Sequence, residues 1–482
     1  MAGVTGIGSG LDIDSIVAGM VAAERAPKET QLANLEKKTT TQITAVGALK
    51  GAISDFQTAL AALNKPELFQ ARSATSSKSD LVGVTATTTA GAGSYQLEVK
   101  SLASSSKVAL AAIPNTAEAP ARFTSGTFEV SLGVPGIPPA PNTTESFSVT
   151  VDESNNTLAG VRDAINTAGK DMGVSATIVT DEYGSRLVLS SSKTGAGRDI
   201  TVTATGADEP GLIGLSALNF TGTSGTGKDA RVLTSAQSAE LYVDGLKVIS
   251  ETNKVDGAIE GVTLDIKAKT VANELLTIAV AEDKAGVKKQ IQSFVDSYNK
   301  LIGVINAQTK VTSVGEGKAP VTGALVGDAT ARTLLNTIRN ELVNVQGDGA
   351  LRALTDIGIT TQKDGTLAID SAKLDKAMAS NFSELSGLFT GDKGLASRLD
   401  AKLKPYTETG GILEQRNKAM TETISKIDDQ KETLTRRLTS LQERLYKQFN
   451  AMDLLVGQLS NTSSSLLASL ENLPWAANNS KK

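Results

Sequence analysis

Cysteine and histidine are both missing from the 482 residues. Their absence removes thiol nucleophiles, disulfides, Cys/His zinc sites, haem and the usual general base near neutral pH. Aromatic residues make up 4%, and because they bury the most area per side chain, thin cores in an elongated protein are expected. No run of about 18 or more apolar residues occurs, so no helix is expected to span a bilayer. Lys plus Arg number 48 against 52 Asp plus Glu, a net charge of −4, which leaves no general attraction for nucleic acid or anionic lipid. No cofactor, nucleic-acid partner or membrane insertion is therefore expected. Met1 to Gly10 carries no basic region ahead of an apolar stretch and does not read as a cleavable secretory signal.

The length corresponds to about two to five domains at roughly 100–200 residues each. From Pro27 to Leu63 apolar residues keep a 3-4 spacing at Leu32, Leu35, Val46, Leu49, Ile53, Phe56, Leu60 and Leu63, with Thr39 and Gln42 at the polar seam positions. This is a coiled-coil-like seam; Pro27 suits the first turn of such a helix, whose length would be about 55 Å. Gly47 and Gly51 inside it each cost about 1 kcal/mol relative to Ala, so the helix is expected to depend on a partner. Near the other end Ile424, Ile427, Leu434, Leu438, Leu441, Leu445, Met452, Leu455 and Leu459 keep the same repeat, broken by Lys431 and Gln448. Two readings fit: a long helix packed on its own globular core, or association through a narrow seam that leaves most of the circumference charged. The second is preferred.

Between these ends the period changes to two. Tyr95–Lys100, Thr127–Leu132, Ser146–Val151, Val174–Val179, Arg186–Ser190 and Ile200–Thr203 read as strands with one polar face, and Leu158–Asn166 as a short helix. Glu240–Val248 reads as a hairpin turning at Asp244-Gly245, followed by strands at Val262–Ile266 and Leu275–Val280. Helical spacing returns at Val287–Ile305 and Ala329–Val343, with a hairpin of Ile357–Ile359 against Leu367–Ile369 around Asp364-Gly365. Linkers are expected at Pro114–Pro120, Pro135–Pro141 and Thr221–Gly227. Helices at both ends enclosing β material imply nested, discontinuous domains.

Chemical motifs are weak throughout. Gly6-Ile7-Gly8-Ser9-Gly10 lacks the preceding strand and spacing of a phosphate loop. Asp244-Gly245 and Asp364-Gly365 lack a calcium ladder and read as turns. Asn142-Thr143-Thr144, Asn155-Asn156-Thr157 and Asn219-Phe220-Thr221 match a glycosylation pattern frequent by chance in a Thr-rich chain. Acid neighbours such as Asp152-Glu153 and Asp428-Asp429 need not face one cleft. A carbohydrase would need an acid pair about 5–10 Å apart, and nothing in the sequence marks one. No catalytic, cofactor-binding or metal-binding residue is assigned.

Gly6-Ile7-Gly8-Ser9-Gly10-Leu11-Asp12-Ile13-Asp14-Ser15-Ile16-Val17, followed by Pro27 and the long helix, closely resembles the opening of the flagellar hook-associated protein 2 family, the filament cap. Gly93–Val99 with Leu102-Ala103, Asp256-Gly257 to Gly261–Leu264, Phe294–Asn299, Leu354–Ile359 with Asp364–Leu367, and Gly410–Leu413 agree in order. Outside roughly 121–235 the resemblance runs end to end, and Leu158–Asn166 looks like the short Ile-Asn element of flagellin-related proteins. The resemblance implies an α+β multidomain fold with terminal coiled-coil helices, the leg, enclosing β-rich head domains. It divides the chain into 1–42 plus 436–482, a terminal helical leg disordered before assembly; 43–80 plus 283–435, a helical leg domain with a β-hairpin; 81–120 plus 236–282, a β-rich head domain; and 121–235, an inserted α+β outer head domain.

The function so implied is that of a secreted, extracellular, non-enzymatic lid at the distal tip of the bacterial flagellum. The lid promotes folding and insertion of flagellin during elongation and is needed for motility. Implied partners are further copies in a ring of about four to six, flagellin, the hook–filament junction protein and a flagellar export chaperone. The alternative is a surface adhesin binding host mucin through the inserted domain, as some family members do. Leu49, Ile53, Phe56, Leu60, Ile424, Ile427, Leu434, Leu438, Leu441, Leu445, Met452 and Leu455 are the expected helical assembly interface. Marginal seam helices suit a chain exported unfolded and ordered by its neighbours.

Overall fold

The computed structural model describes residues 9–116, 119–133, 145–271, 274–315, 317–344 and 351–471. Gly6–Gly8 of the opening motif, the Pro135–Pro141 stretch, Asn142–Thr144 and part of Pro114–Pro120 lie outside them. The chain forms two compact units, residues 1–66 with 285–482 and residues 67–284.

Helix α1 runs Ile13–Leu63, well before Pro27, which stands inside it. The expected start is therefore corrected: Asp12 caps the helix, its Oδ1 accepting from the Ser15 amide at 3.0 Å, and a capped start outcompetes a proline start. Pro27 lies on the exposed face, where the carbonyl deprived of its donor meets water.

The short α2 (Pro66–Gln70) leads into strands β1 (Arg72–Ser76), β2 (Val82–Ala86), β3 (Gly93–Ser101), β4 (Ser105–Ala109), β5 (Gly126–Leu132) and β6 (Glu145–Val151). Helix α3 (Leu158–Ala168) precedes β7 (Val174–Asp181), β8 (Gly184–Thr194), β9 (Ile200–Gly206) and β10 (Arg231–Thr234). Then come β11 (Ala239–Val243), β12 (Leu246–Ser250), β13 (Lys254–Ile259), β14 (Val262–Ile266) and β15 (Leu276–Glu282).

A five-stranded sheet, β1-β15-β3-β11-β12, and a three-stranded one, β13-β14-β2, share a core that includes Leu97, Val99, Leu241, Leu264 and Ile278. Sheets β10-β4-β8-β7 and β6-β5-β9 enclose a second core with α3, built around Phe123, Phe128, Leu187, Val161 and Ile165. Alternation explains the strands read correctly: Phe128, Val130 and Leu132 of β5 are buried while the residues between them are not. At the β11–β12 turn Asp244 and Gly245 have φ of 48° and 82°, the left-handed pair that a two-residue hairpin requires.

Two expectations are revised here. Strand β8 has no polar face at its centre: Ser185 to Leu189 are all buried, because the strand lies inside its sheet. Buried Arg186 is compensated by Asp181, 2.7 Å from its Nε, and by the carbonyls of Leu110, Gly227, Lys228 and Asp229. The Thr221–Gly227 stretch is thus no free linker, since its last residue is held by that guanidinium and Gly225 donates to the Ala230 carbonyl at 2.8 Å. Strand β1, placed by the sequence in the leg segment 43–80, pairs along its length with β15.

The remaining elements belong to the helical unit: α4 (Lys284–Thr309), hairpin β16 (Val311–Thr312) with β17 (Val321–Thr322), α5 (Ala329–Val343), and hairpin β18 (Ile359–Thr361) with β19 (Leu367–Ile369). Helices α6 (Ser371–Ser380), α7 (Phe382–Phe389), α8 (Leu395–Thr407) and α9 (Ile412–Glu471) follow. On α4, Tyr298 Oη donates to the Gly365 carbonyl at 2.9 Å and Asn299 exchanges two hydrogen bonds with the backbone of Leu367. The quoted Phe294–Asn299 motif is thereby the cradle of the Asp364-Gly365 turn. Burial pushes the Tyr298 hydroxyl up to about 12.

Candidate assembly surface

Long helices α1 and α9 pack together and run antiparallel, as their cross-links show. Lys50 pairs with Glu414 at 3.6 Å, Lys431 with Glu36 at 2.5 Å, and the Ser9 amide donates to Asp453 at 2.7 Å. Glu36 holds the Lys431 ammonium above its ordinary value, chiefly through that hydrogen bond. The polar seam position read at Lys431 is therefore a specific cross-helix ion pair.

Between the last two cross-links Ile13, Val17 and Val21 of α1 meet Leu438 and Leu445 of α9, with Leu434, Leu441, Tyr446 and Phe449 packed around them. Asp14 hydrogen-bonds the Tyr446 hydroxyl, raising its pKa. The sequence reading missed Ile13, Val17 and Val21 because it began the helix at Pro27; the Asp12 cap followed by apolar residues four apart was the available signal.

The twelve expected interface residues fall into three groups. Leu49, Ile53, Phe56 and Leu60 are fully buried within the chain: the Phe56 ring stands 5.7 Å from Phe294 and 5.8 Å from Tyr298, and Phe294 meets Phe389 at 6.2 Å. Ile427, Leu438 and Leu445 are buried, and Ile424, Leu434 and Leu441 half-buried, along α9. Met452 and Leu455 are 41% and 57% exposed. The structure brings the first two groups into packed helix contacts and leaves the third outside them.

That exposed pair opens a longer stripe. Val456, Leu459, Leu466, Leu467 and Leu470 are exposed as well. At 100° per residue they share one face with Met452 and Leu455, in line with Leu438 and Leu445. Gln458, Asn461 and Ser465 occupy the opposite side, where Leu454 is also 66% exposed. Among the described residues no group of His, Cys, Asp or Glu is placed to hold a metal, and no helix is long and apolar enough to cross a membrane.

The chain matches the flagellar hook-associated protein 2 N-terminus over residues 9–106 and its C-terminus over 236–461. A B-type flagellar hook-associated protein 2 of Pseudomonas aeruginosa is 48% identical over 99% of both chains. This chain belongs to the flagellar hook-associated protein 2 family. An A-type relative from the same species is 46% identical over 98% of both. The solved D1-D2-D3 domains of the Escherichia coli flagellar cap protein FliD superpose with a TM-score of 0.60 at 27% identity, covering 78% of this chain and 99% of that one. The protein is accordingly a structural flagellar filament cap protein, located at the filament tip outside the cell, and not an enzyme.

A flagellin hook IN motif also matches, over residues 142–193, and the geometry says what its Ile-Asn pair does. Ile165 is fully buried. Asn166 accepts from the Ala176 amide at 2.7 Å and donates to the Ala176 carbonyl at 3.0 Å, fastening α3 to β7.

Proposed function

We propose that copies of this chain form a ring of about four to six on the growing filament end, beneath which flagellin folds and inserts. The observation that carries this reading is the seven-residue apolar stripe of α9 beyond its seam with α1. An exposed amphipathic face of that length is expected to be covered in the working assembly. On this reading Leu49–Leu60 and Ile424–Leu445 hold a single leg together, while Met452 and Leu455 face another molecule. Flagellin, the hook–filament junction protein and an export chaperone are the further proposed partners. The proposed working parts are the segments 1–42 with 436–482, 43–80 with 283–435, 81–120 with 236–282, and 121–235, the second shortened where β1 joins its sheet.

The test is to label the protein and image filaments. Label confined to distal tips, with loss of swimming and release of unpolymerised flagellin in a deletion strain, is expected. Label along the shaft, or normal filaments without the protein, would overturn the proposal.

A further inference from the structure

Helix α1 is buried in two separate stretches. Ile13, Val17 and Val21 are buried, and so is Leu32, but residues 22–31 between them are all exposed. Val21 and Leu32 lie within about 20° of each other around the helix, and the positions that would continue their row, Arg25 and Lys28, lie within about 40° of Val21. Charged side chains thus stand where the seam needs apolar ones. At the same level a cavity of about 370 Å³ is bordered by Arg25, Glu29 and Ala33 of α1 and by Lys431, Leu434, Thr435 and Leu438 of α9. Pro27, in the middle of the exposed stretch, offers the Ala23 carbonyl no amide donor and narrows the backbone choices of Ala26.

We propose that α1 hinges across residues 22–31, so that residues 9–21 form a strap that lifts off α9 while the helix beyond Leu32 stays seated. The strap's hold is small. Ile13, Val17 and Val21 supply its buried contacts, the Ser9 amide and hydroxyl reach Asp453 at 2.7 and 2.5 Å, and Asp14 meets Tyr446. Past the hinge Leu49, Ile53, Phe56, Leu60 and Leu63 are all fully buried. A segment with few buried contacts opens more readily than one anchored in a core, and a proline break between the two lets it open alone.

The strap sets how much apolar surface α9 presents. Leu438, Leu445, Met452, Leu459 and Leu466 recur every seven residues; the strap covers the first two, and the other three are exposed. Lifting it extends the open row from about 21 Å, Met452 to Leu466, to about 42 Å, Leu438 to Leu466. The closed strap therefore competes with any molecule that seats along the whole row and holds association back. That control rests on the association proposed above, whereas the hinge itself does not.

Hydrogen exchange of the full-length protein tests the hinge. Amides of residues 17–21 are expected to exchange as one block, at least tenfold faster than those of residues 49–63, with a step between. Pro27→Ala should slow that block at least threefold and leave residues 49–63 unchanged. A rate that climbs smoothly towards Ile13, as in end fraying, or a block indifferent to Pro27→Ala, would overturn the hinge. A lock then tests the control, since Ser9 and Asp453 already touch and the chain has no other cysteine to interfere. The oxidised double variant Ser9→Cys, Asp453→Cys is expected to self-associate at least fivefold more weakly in light scattering than the same protein reduced, and the reduced form at least as tightly as the parent. Equal association of locked and reduced protein would overturn the strap's control alone. Monomers in both forms at every concentration would overturn the association reading and the control with it, while the exchange step decides the hinge.

Discussion

Asn166, Asn253 and Asn299 solve one problem three times. Each side-chain amide exchanges two hydrogen bonds with one backbone residue: Ala176, Ala103 and Leu367 respectively. A loop or strand with no ladder partner at that point gains a substitute ladder, and removing the amide strands two backbone groups. Asn166→Ala and Asn299→Ala are each expected to cost about 1–3 kcal/mol, read as a lowered denaturant midpoint. Asp at the same positions should not rescue, because it lacks the N–H donor.

A different residue pair gives the pH dependence. Asp328 caps α5, accepting from the Ala331 amide at 3.0 Å, and receives Arg416 of α9, whose Nη1 donates at 2.8 Å. The Arg416 hydrogen bond holds its carboxyl below the ordinary 3.8. As pH falls below about 3.8 the unfolded chain takes up this proton first, so the contribution is present at neutral pH and lost as pH drops through the folded value. Asp328→Asn keeps a capping oxygen but loses the charge, at a cost of about 1–3 kcal/mol near pH 7. The difference between variant and parent in urea unfolding should shrink towards pH 3; a constant difference would count against the ion pair.

Among elements, the seam between α1 and α9 is where sequence and structure meet most directly. Leu438 is buried against Ile13, Val17 and Val21, so Leu438→Asp places a charge where no partner waits. Loss of helical signal from the two long helices and loss of motility are expected, with the sheets of residues 67–284 intact. Ser440→Asp, on the exposed side of the same turn, should swim normally. The 3-4 period told which face of each helix is covered, but a period carries no label for the covering molecule. Hence Leu49 to Leu60, covered by α4 and its neighbours, and Met452 and Leu455, uncovered, looked alike in the sequence. Strands with one buried face were legible by alternation, as in β5 and β11. Arg72–Ser76 of β1 was not, since Arg-Ser-Ala-Thr-Ser offers no apolar alternation and its strand identity comes from pairing with β15. Of the assembly surface, the apolar stripe was partly visible.

For the molecule as a whole, the decisive fact is that the β material closes on itself. Residues of both β cores fall between Val82 and Val280, and the unit's two ends are tied by the Asp283 amide donating to the Ala71 carbonyl at 2.9 Å. A fragment of residues 67–284 is therefore expected to fold cooperatively, with a sharp thermal transition that also occurs in the full chain. The helical unit has no such closure along the sequence: α1 and the helices that cover it lie on opposite sides of the inserted β unit. A peptide of residues 9–66, with Gly47 and Gly51 in its centre, should show little helix alone and gain it on mixing with residues 285–471, because the seam is buried only by the other segment. Far-UV dichroism of the fragments and their mixture decides this. A strongly helical free peptide, or a 67–284 fragment without a cooperative transition, would mean that the chain's halves do not divide the work of folding as their cores do.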